Sequence, residues 1–260
     1  MKTRPSSILL ILLLTGSSAA LAQTEAASPA VIKLGSGFNY SRGDYGFAQD
    51  TELWSVPLNL SYDIPRWSLK AAFSHLTVKG PANVATGTTP SAGPARPTSA
   101  KQSGFGDTSI SATYHANPVP GEVNVDFTAR VKLPTGDEDK GLGTGETDYY
   151  LQTDLNRTFG KVTLIATAGY RFMGSDEIST LKDGPYAMAG AAYRLTDKTV
   201  AGAAYDWHSR IIEGSENAHN ILAFVATNPN DRWNLLAYGL MGMNDASPEI
   251  ALGGLATYKF

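Results

Sequence analysis

Apolar and polar residues alternate one by one over long stretches of the chain from about residue 31 onwards. Between residues 123 and 133, valine, phenylalanine, alanine and leucine occupy the odd positions, while asparagine, aspartate, threonine, arginine and lysine occupy the even ones. Residues 54–64 and 162–172 show the same rhythm. A period of two places successive side chains on opposite faces of an extended strand. The pattern therefore predicts strands with one apolar face and one polar face.

Twelve segments can be assigned in this way, and most of them are ten to thirteen residues long. We predict strands near residues 31–40, 54–64, 67–78, 106–115, 123–133, 148–159, 161–173, 185–195, 199–207, 218–227, 233–243 and 248–260. The alternation is weakest in 199–207 and 218–227, where alanine and glycine blur it. Strands of soluble proteins usually have about 5–6 residues, whereas strands that cross a membrane in a barrel need about 9–11.

The connections between these segments are alternately short and long. Outer-membrane barrels have short periplasmic turns, long extracellular loops and an even number of strands. Closure into a barrel also leaves no unpaired backbone edge in the lipid. We therefore predict an all-β fold, a twelve-stranded antiparallel transmembrane outer-membrane β-barrel. Aromatic residues near the strand ends are expected to form girdles at the two membrane–water boundaries.

The first 22 residues have the features of an export signal. Lys2 and Arg4 give a positive start, residues 8–14 form an apolar run, and residues 20–22 read A-L-A, a typical cleavage site. This run of seven apolar residues is too short for a membrane helix, which needs about 20. We therefore predict a signal peptide over residues 1–22, a short periplasmic segment over 23–30 and a barrel domain over 31–260. The expected location is the outer membrane of a Gram-negative bacterium.

Composition and the remaining motifs narrow the chemistry. The net charge of -3 argues against nucleic acid as a partner, which would call for a basic surface. The absence of cysteine excludes disulfides, thiolate metal sites and cysteine nucleophiles. The acidic residues 137–139 depart from the spacing of a calcium loop, and no other metal-ligand spacing occurs. We expect no cofactor and no metal.

An enzyme is not expected. Asp206, His208 and Ser209 lie close together and suggest a catalytic triad. In a strand, however, Asp206 and His208 share one face while Ser209 points to the other, which is poor geometry for a proton relay. No catalytic residue is therefore predicted.

Charges of both signs fall on the polar face of the predicted strands. A charge on the lipid face would cost about 2–4 kcal/mol at the membrane midplane, so we expect these residues to face the lumen. The candidate lumen-lining residues are Lys70, Asp107, Asp126, Arg130, Lys132, Asp154, Arg171, Arg194 and Asp206. In one interpretation, acidic and basic groups lie on opposing walls of a water-filled pore and orient a polar or anionic solute. In the other, they pair across the barrel and plug it.

Four short motifs occur in the middle of the chain: GFGD at 104–107, KLPTG at 132–136, GLGTG at 141–145 and GYRF at 169–172. Their order resembles the outer-membrane transporter family named for the meta-pathway of phenol degradation, and the strand rhythm extends this likeness to residue 260. The resemblance implies a barrel with a transport role, encoded near aromatic catabolism. We therefore expect passive uptake of small aromatic or hydrophobic organic solutes. The alternative is a closed structural or adhesion barrel without transport activity.

The chain ends in Tyr258-Lys259-Phe260. A terminal aromatic residue with another one two positions earlier resembles the assembly signal of outer-membrane proteins. We therefore expect the barrel assembly machinery to be a partner that contacts Tyr258 and Phe260. The other expected partners are outer-membrane lipid, lipopolysaccharide and a small organic solute.

Overall fold

The computed structural model describes residues 30–83, 99–116, 122–174 and 181–260, together with the backbone of residues 10–11 and 18–19. Leu10–Ile11 and Ser18–Ala19 pair as a short antiparallel ladder of their own. The remainder of the predicted signal peptide, with its cleavage site, and residues 23–29 of the predicted periplasmic segment lie outside the described residues. In the described ranges, no helix is long and apolar enough to cross a membrane.

From residue 31 onwards the described chain forms one closed barrel. Its strands are β1 (Val31–Gly43), β2 (Thr51–Ile64), β3 (Trp67–Lys79), β4 in two parts (Gln102–Phe105 and Thr108–His115), β5 (Asn124–Leu133), β6 (Asp148–Phe159), β7 (Val162–Phe172), β8 (Gly184–Arg194), β9 (Thr199–His208), β10 (Ala218–Thr227), β11 (Trp233–Gly242) and β12 (Ile250–Lys259). Each strand pairs antiparallel with the next, and β12 pairs with β1. The predicted twelve-stranded antiparallel barrel is confirmed.

The strands alternate between outward and inward side chains, as predicted. In β6, Tyr149 and Leu151 are more than half exposed (57% and 54%), whereas Tyr150 and Gln152 between them are only 5% and 6% exposed. Outward positions along the barrel are mostly apolar because they meet lipid. Aromatic pairs stand at both ends of this apolar band. Trp67 packs on Tyr114, with ring centroids 5.1 Å apart, at the short-turn end of the barrel, and Tyr40 packs on Trp54, at 4.5 Å, at the long-loop end.

The first hairpin extends further than the sequence indicates. The predicted strands end at residue 40 and begin again at residue 54, but in the structure the first continues to Gly43 and the second begins at Thr51. The outward residues of this extension include Arg42, which is paired with Asp50 through its Nε at 2.7 Å. Beyond the hydrocarbon an outward residue need not be apolar, so the alternation ends before the strand does.

The fourth strand begins at Gln102 rather than 106 and is interrupted at Gly106 and Asp107. The Gly106 amide still donates to the Ser74 carbonyl on β3, so the chain stays on the barrel wall. A Cβ at Gly106 would lie 2.6 Å from the Leu76 side chain, so this position tolerates only glycine without a shift. The interruption turns the Asp107 carboxylate into the barrel, where it meets Lys132.

Candidate functional site: the barrel lumen

The inward face of the barrel is divided into two walls of different chemistry. The polar wall comprises the buried polar side chains of β2–β6: Thr51, Ser55, Asn59, Ser74, Asp107, Ser111, Thr113, Asp126, Thr128, Lys132, Asp148, Gln152, Asp154 and Asn156. The apolar wall comprises one contiguous cluster from β7–β12: Ile165, Met188, Ala192, Val200, Ala204, Leu222, Phe224, Ala226, Leu236, Leu240, Ala251 and Leu255. A few polar residues, such as Asp206 and Asn220, lie among the apolar ones. The lumen therefore has a hydrogen-bonding side and a hydrophobic side.

Inward residues of neighbouring strands stand opposite one another and form rows across the polar wall. The cation row consists of Lys70, Ser111, Arg130, Tyr150 and Arg171, one residue from each of β3–β7. The Arg130 guanidinium lies 3.7 Å from the centroid of the Tyr150 ring, a cation–π contact. Arg171 donates through Nη2 to the Ser209 carbonyl, and its Nε has no hydrogen-bond partner among the residues that the structure describes.

A second row runs parallel to the first, four residues further along the strands towards the short-turn end. This acid row contains Asp126, Asp154 and Asp206, and it continues to Asn220. Each carboxylate is held by neighbouring side chains. Asp126 Oδ1 lies 2.8 Å from His115 Nδ1. Asp154 accepts from Gln152 Nε2 at 2.8 Å and from Thr167 Oγ1 at 2.6 Å, and Asp206 accepts from Asn220 Nδ2 at 3.0 Å and lies 3.1 Å from His208 Nε2.

This arrangement differs from the expected opposition of acidic and basic walls. Both signs lie in successive rows that share β5, β6 and β7, and the facing wall is largely apolar. The period-two pattern identifies the face of a residue but not its height in the barrel, which depends on strand register. The charges therefore segregate along the strands instead of across the lumen.

Tyr186 connects the two walls. Its ring covers Gly169 of β7, where a Cβ would lie 2.2 Å from the ring, and its hydroxyl donates to Gln152 Oε1 on β6 at 2.8 Å. On its other side the ring stacks on His208, with centroids 5.4 Å apart and planes 14° from parallel. A tyrosine spans three strands in this way because the glycine between them has no side chain.

The sequence and the fold can now be compared with known proteins. Residues 71–260 match the model of the family described as "Putative MetA-pathway of phenol degradation". The chain belongs to this family. No curated protein sequence is significantly similar to it.

The barrel is also similar to solved structures. An outer membrane channel from Pseudomonas putida F1 has a TM-score of 0.64 at 13% identity, over 91% of this chain and 97% of that one. The KdgM porin has a TM-score of 0.53 at 8% identity, over 87% and 99%. The beta domain of the Bordetella autotransporter BrkA also reaches 0.53, at 11% identity, over 89% and 100%. Such low identities show only that the fold is shared. A twelve-stranded barrel of this kind places the protein in the outer membrane.

Three of the four sequence motifs, GFGD, KLPTG and GLGTG, meet at the long-loop end of the barrel. Leu142 of GLGTG is fully buried against Leu53, Leu76 and Val78, so the loop between β5 and β6 packs against the barrel interior. A Cβ at Gly143 would lie 2.5 Å from Asp107 Oδ1, the carboxylate of GFGD. The glycines of these motifs therefore allow the loop to approach the barrel wall closely.

An ion cluster of Asp107, Lys132 and Asp148 fixes this arrangement. Lys132 Nζ lies 2.9 Å from Asp107 Oδ2 and 3.0 Å from Asp148 Oδ2, and it donates to Thr144 Oγ1 at 2.7 Å. The lysine side chain is 3% exposed and both carboxylates are 0% exposed. The second oxygens accept backbone N–H groups, from Gly136 to Asp107 and from Gly174 to Asp148. The cluster therefore ties two outer connections to the barrel.

All nine predicted lumen residues lie on the inward side of their strands or, for Asp107, in the inward-turned break of β4. Asp107 and Lys132 belong to the ion cluster; Lys70, Arg130 and Arg171 to the cation row; Asp126, Asp154 and Asp206 to the acid row. Arg194 is apart from them at the short-turn end of β8. That they line a conducting pore stays a prediction.

The predicted lumen-lining residues do not include Asp148, Tyr150 or Tyr186. Asp148 follows the GLGTG motif closely, and both tyrosines have the inward parity of their strands, so parity was the available signal. The assignment of aromatic residues near strand ends to the girdles concealed the inward direction of Tyr150.

A Ser–His–Asp chain does occur, but not where the sequence suggested. Ser68 Oγ lies 2.9 Å from His115 Nε2, and His115 Nδ1 lies 2.8 Å from Asp126 Oδ1. In the other group, Asp206 contacts His208 as expected, while the Ser209 hydroxyl is buried without a partner in the described part of the chain. Near Ser68, the amides of His115 and Ala116 donate to the Arg66 and Val125 carbonyls. Neither amide is therefore available as an oxyanion donor.

Proposed function

We propose that the protein is a passive outer-membrane channel for small aromatic or otherwise hydrophobic organic solutes, without enzymatic activity. The observation that carries this proposal is the division of the lumen into a polar wall and an apolar wall. An amphipathic ring would contact both at once, with its apolar face on one wall and its hydroxyl or carboxyl group on the other. Binding sites for small organic ligands commonly combine apolar surface with a few placed polar groups.

The apolar wall favours such solutes over sugars. An inward face that met only water and polar solutes would gain nothing from twelve clustered apolar residues, because apolar surface costs about 25 cal/mol per Å² when it is hydrated. Contact with an aromatic solute would remove part of that apolar surface from water and so recover part of that free energy. The membership of a family named for phenol degradation supports the same class of solute.

One observation favours the alternative, a closed barrel without transport. The inward residues are nearly all buried, and Leu142 of the β5–β6 connection is seated in the barrel interior with 0% exposure. A lumen filled in this way would act as a structural core, as in the smallest outer-membrane barrels.

Solute uptake decides between the two. Protein purified from outer membranes would be reconstituted into liposomes, and swelling rates would be measured with arabinose and with sodium benzoate. We expect both solutes to enter faster than in protein-free liposomes, with benzoate ahead of arabinose. If protein that is folded by heat-modifiable gel mobility admits neither solute, the channel proposal is wrong and the closed barrel replaces it.

We also propose that the last strand is read by the barrel assembly machinery. Phe260 is 70% exposed, and its ring lies 5.0 Å from that of Tyr258 at the short-turn end of the barrel. This exposed aromatic pair would remain accessible to a periplasmic partner until the barrel is inserted among lipid and lipopolysaccharide. Replacing Phe260 with serine should lower the amount of folded protein in the outer membrane more than replacing the neighbouring Lys259 does.

A further inference from the structure

We infer that the cation row offers two successive binding positions for the carboxylate of an aromatic monoanion, one at Lys70 and one at Arg171. The inference rests on the proposed function and specifies its solute class. Lys70 and Arg171 occupy the two ends of the row, on β3 and β7, and Ser111, Arg130 and Tyr150 stand between them.

The row follows a path along the lumen and does not form a ring around it. Neighbouring strands are about 4.8 Å apart, so four strand intervals separate Lys70 from Arg171 by roughly 19 Å along the wall. Because strands in a barrel tilt by about 40°, the same row advances by about 12 Å along the barrel axis. An anion would therefore meet the cations of the row one after another as it crosses the membrane.

The two end cations have no carboxylate partner among the residues that the structure describes. Lys70 forms no ion pair and no hydrogen bond within those ranges, and its cross-strand neighbours Ser61 and Ser111 are neutral. Arg171, only 5% exposed, has its single side-chain bond to a carbonyl and leaves Nε unsatisfied in the same ranges. Removing a cation from water without an anion is unfavourable, so both positions favour an incoming anion.

Among the described residues, the acid row forms its ion pairs with His115 and His208 and none with Lys70 or Arg171. It lies four residues along the strands from the cation row, about 13 Å at 3.3 Å per residue. Its carboxylates already contact His115, Gln152 and Thr167, and His208 and Asn220. A carboxylate at Lys70 or at Arg171 would therefore meet a cation at close range. The carboxylate nearest to the row, Asp148, contacts the Tyr150 hydroxyl at 3.4 Å and is itself paired with Lys132.

The surroundings also suit a ring. The Tyr150 ring lies within the row, the Tyr186 ring lies over Gly169 two positions along β7 from Arg171, and the apolar wall faces both. A carboxylate accepts paired N–H groups from an arginine, while the attached ring packs on aromatic and apolar side chains. Benzoate has this chemistry, whereas acetate lacks the ring and benzamide lacks the charge.

Calorimetric titration of the purified protein in detergent with benzoate, benzamide and acetate tests the site independently of transport. A hydrogen-bonded charged group contributes about 1.5–3 kcal/mol, so benzoate should bind at least about tenfold more tightly than benzamide. Lys70→Gln and Arg171→Gln should each lower that preference and the double variant should remove most of it, whereas Lys70→Arg should retain it. Lys33→Gln is the matched control, because Lys33 also faces inward but is paired with Asp63 at 2.5 Å; it should leave the preference within twofold.

Equal binding of benzoate and benzamide by the unmodified protein would overturn the inference, and so would a benzoate preference that survives both glutamine variants. If Arg171→Gln fails to fold by gel mobility, the half-buried Lys70 decides alone through Lys70→Gln and Lys70→Arg. Benzoate binding without liposome uptake would retain the site and reject the channel. Uptake without charge preference would retain the channel and reject the site.

Discussion

The polar and apolar walls of the lumen are built from the same kind of strand, yet they are stabilised differently. The polar wall depends on specific partners, such as Lys132 between Asp107 and Asp148 or Asp154 between Gln152 and Thr167. The apolar wall depends on non-directional packing of residues such as Leu222 and Phe224. A buried polar group that loses its partner bears its full desolvation cost, whereas an apolar group that loses a neighbour leaves a cavity.

The difference shows which parts of the lumen serve stability and which can serve solute binding. Ion pairs close the polar wall near the outer loops, and each carboxylate of the acid row contacts a neighbouring side chain, so these groups serve the structure. The cation row and the apolar wall are the parts of the lumen with capacity left for a solute. Substitutions should therefore divide into those that destabilise the barrel and those that change which solutes it binds.

The largest effect is expected at the ion cluster. Lys132→Met leaves two buried carboxylates facing each other and should destabilise the barrel by about 3–5 kcal/mol, the usual cost of removing one partner of a buried ion pair. The measurement is the midpoint of urea unfolding in detergent or lipid.

Lys140→Met is the control for that substitution, because the Lys140–Asp137 pair of the same outer loop is exposed although its hydrogen bond lowers the pKa of Asp137. No measurable change in the midpoint is expected there. Equal midpoints for the two variants would mean that the ion cluster does not hold the loop.

A cavity in the apolar wall should have the next largest effect. Leu222→Ala removes a side chain that is 4% exposed inside the cluster and should cost about 2–3 kcal/mol in unfolding free energy. Leu195→Ala, at a turn residue that is 53% exposed, should change stability by less than about 0.5 kcal/mol. If Leu222→Ala costs as little as the control, the apolar wall borders open space and the filled-lumen alternative loses its support.

The apolar wall also explains where the sequence analysis was weakest. In β10, Ile221 and Val225 point outward to lipid while Leu222 and Phe224 point inward, so both faces are apolar and the period of two disappears. The weak pattern of 218–227 therefore has this cause in addition to the small residues of the segment. The structure shows that the loss of alternation itself marks a strand with an apolar inner face.

The barrel could be predicted because lipid imposes a regular requirement on every outward position. Thr167 and Arg171 of β7 are buried inside while Leu164 and Tyr170 are outside, as parity indicates. The ion cluster could not be predicted, because it joins residues from β4, β5 and β6 that only strand register brings together. Parity gave the inward face of Asp107 and Lys132 but no information on which inward charges would meet.

The link between the walls should have an intermediate effect. Gly169→Ala places a methyl group where the Tyr186 ring now lies, and such overpacking typically costs about 1–3 kcal/mol. The double variant Gly169→Ala, Tyr186→Ala should lose about as much unfolding free energy as Tyr186→Ala alone, because the clash is then absent. Additive losses in the double variant would contradict the crossing of Tyr186 over Gly169.

The smallest effect on stability is expected at Ser68, where the question is chemical reactivity and not the packing of the two walls. The Ser68–His115–Asp126 chain has the distances of a catalytic relay, but the nearby amides of His115 and Ala116 are bonded to carbonyls of the barrel. A relay without oxyanion donors lacks what is usually the largest electrostatic contribution to acyl transfer. Ser68→Ala should therefore cost only one hydrogen bond, about 0.5–1 kcal/mol in unfolding free energy.

A fluorophosphonate probe should label the unmodified protein no more than the variant. Labelling of Ser68 that disappears in His115→Ala would show instead that Asp126 of the acid row supports a working nucleophile. The acid row would then not be purely structural, and its division from the solute-binding cation row would have to be abandoned.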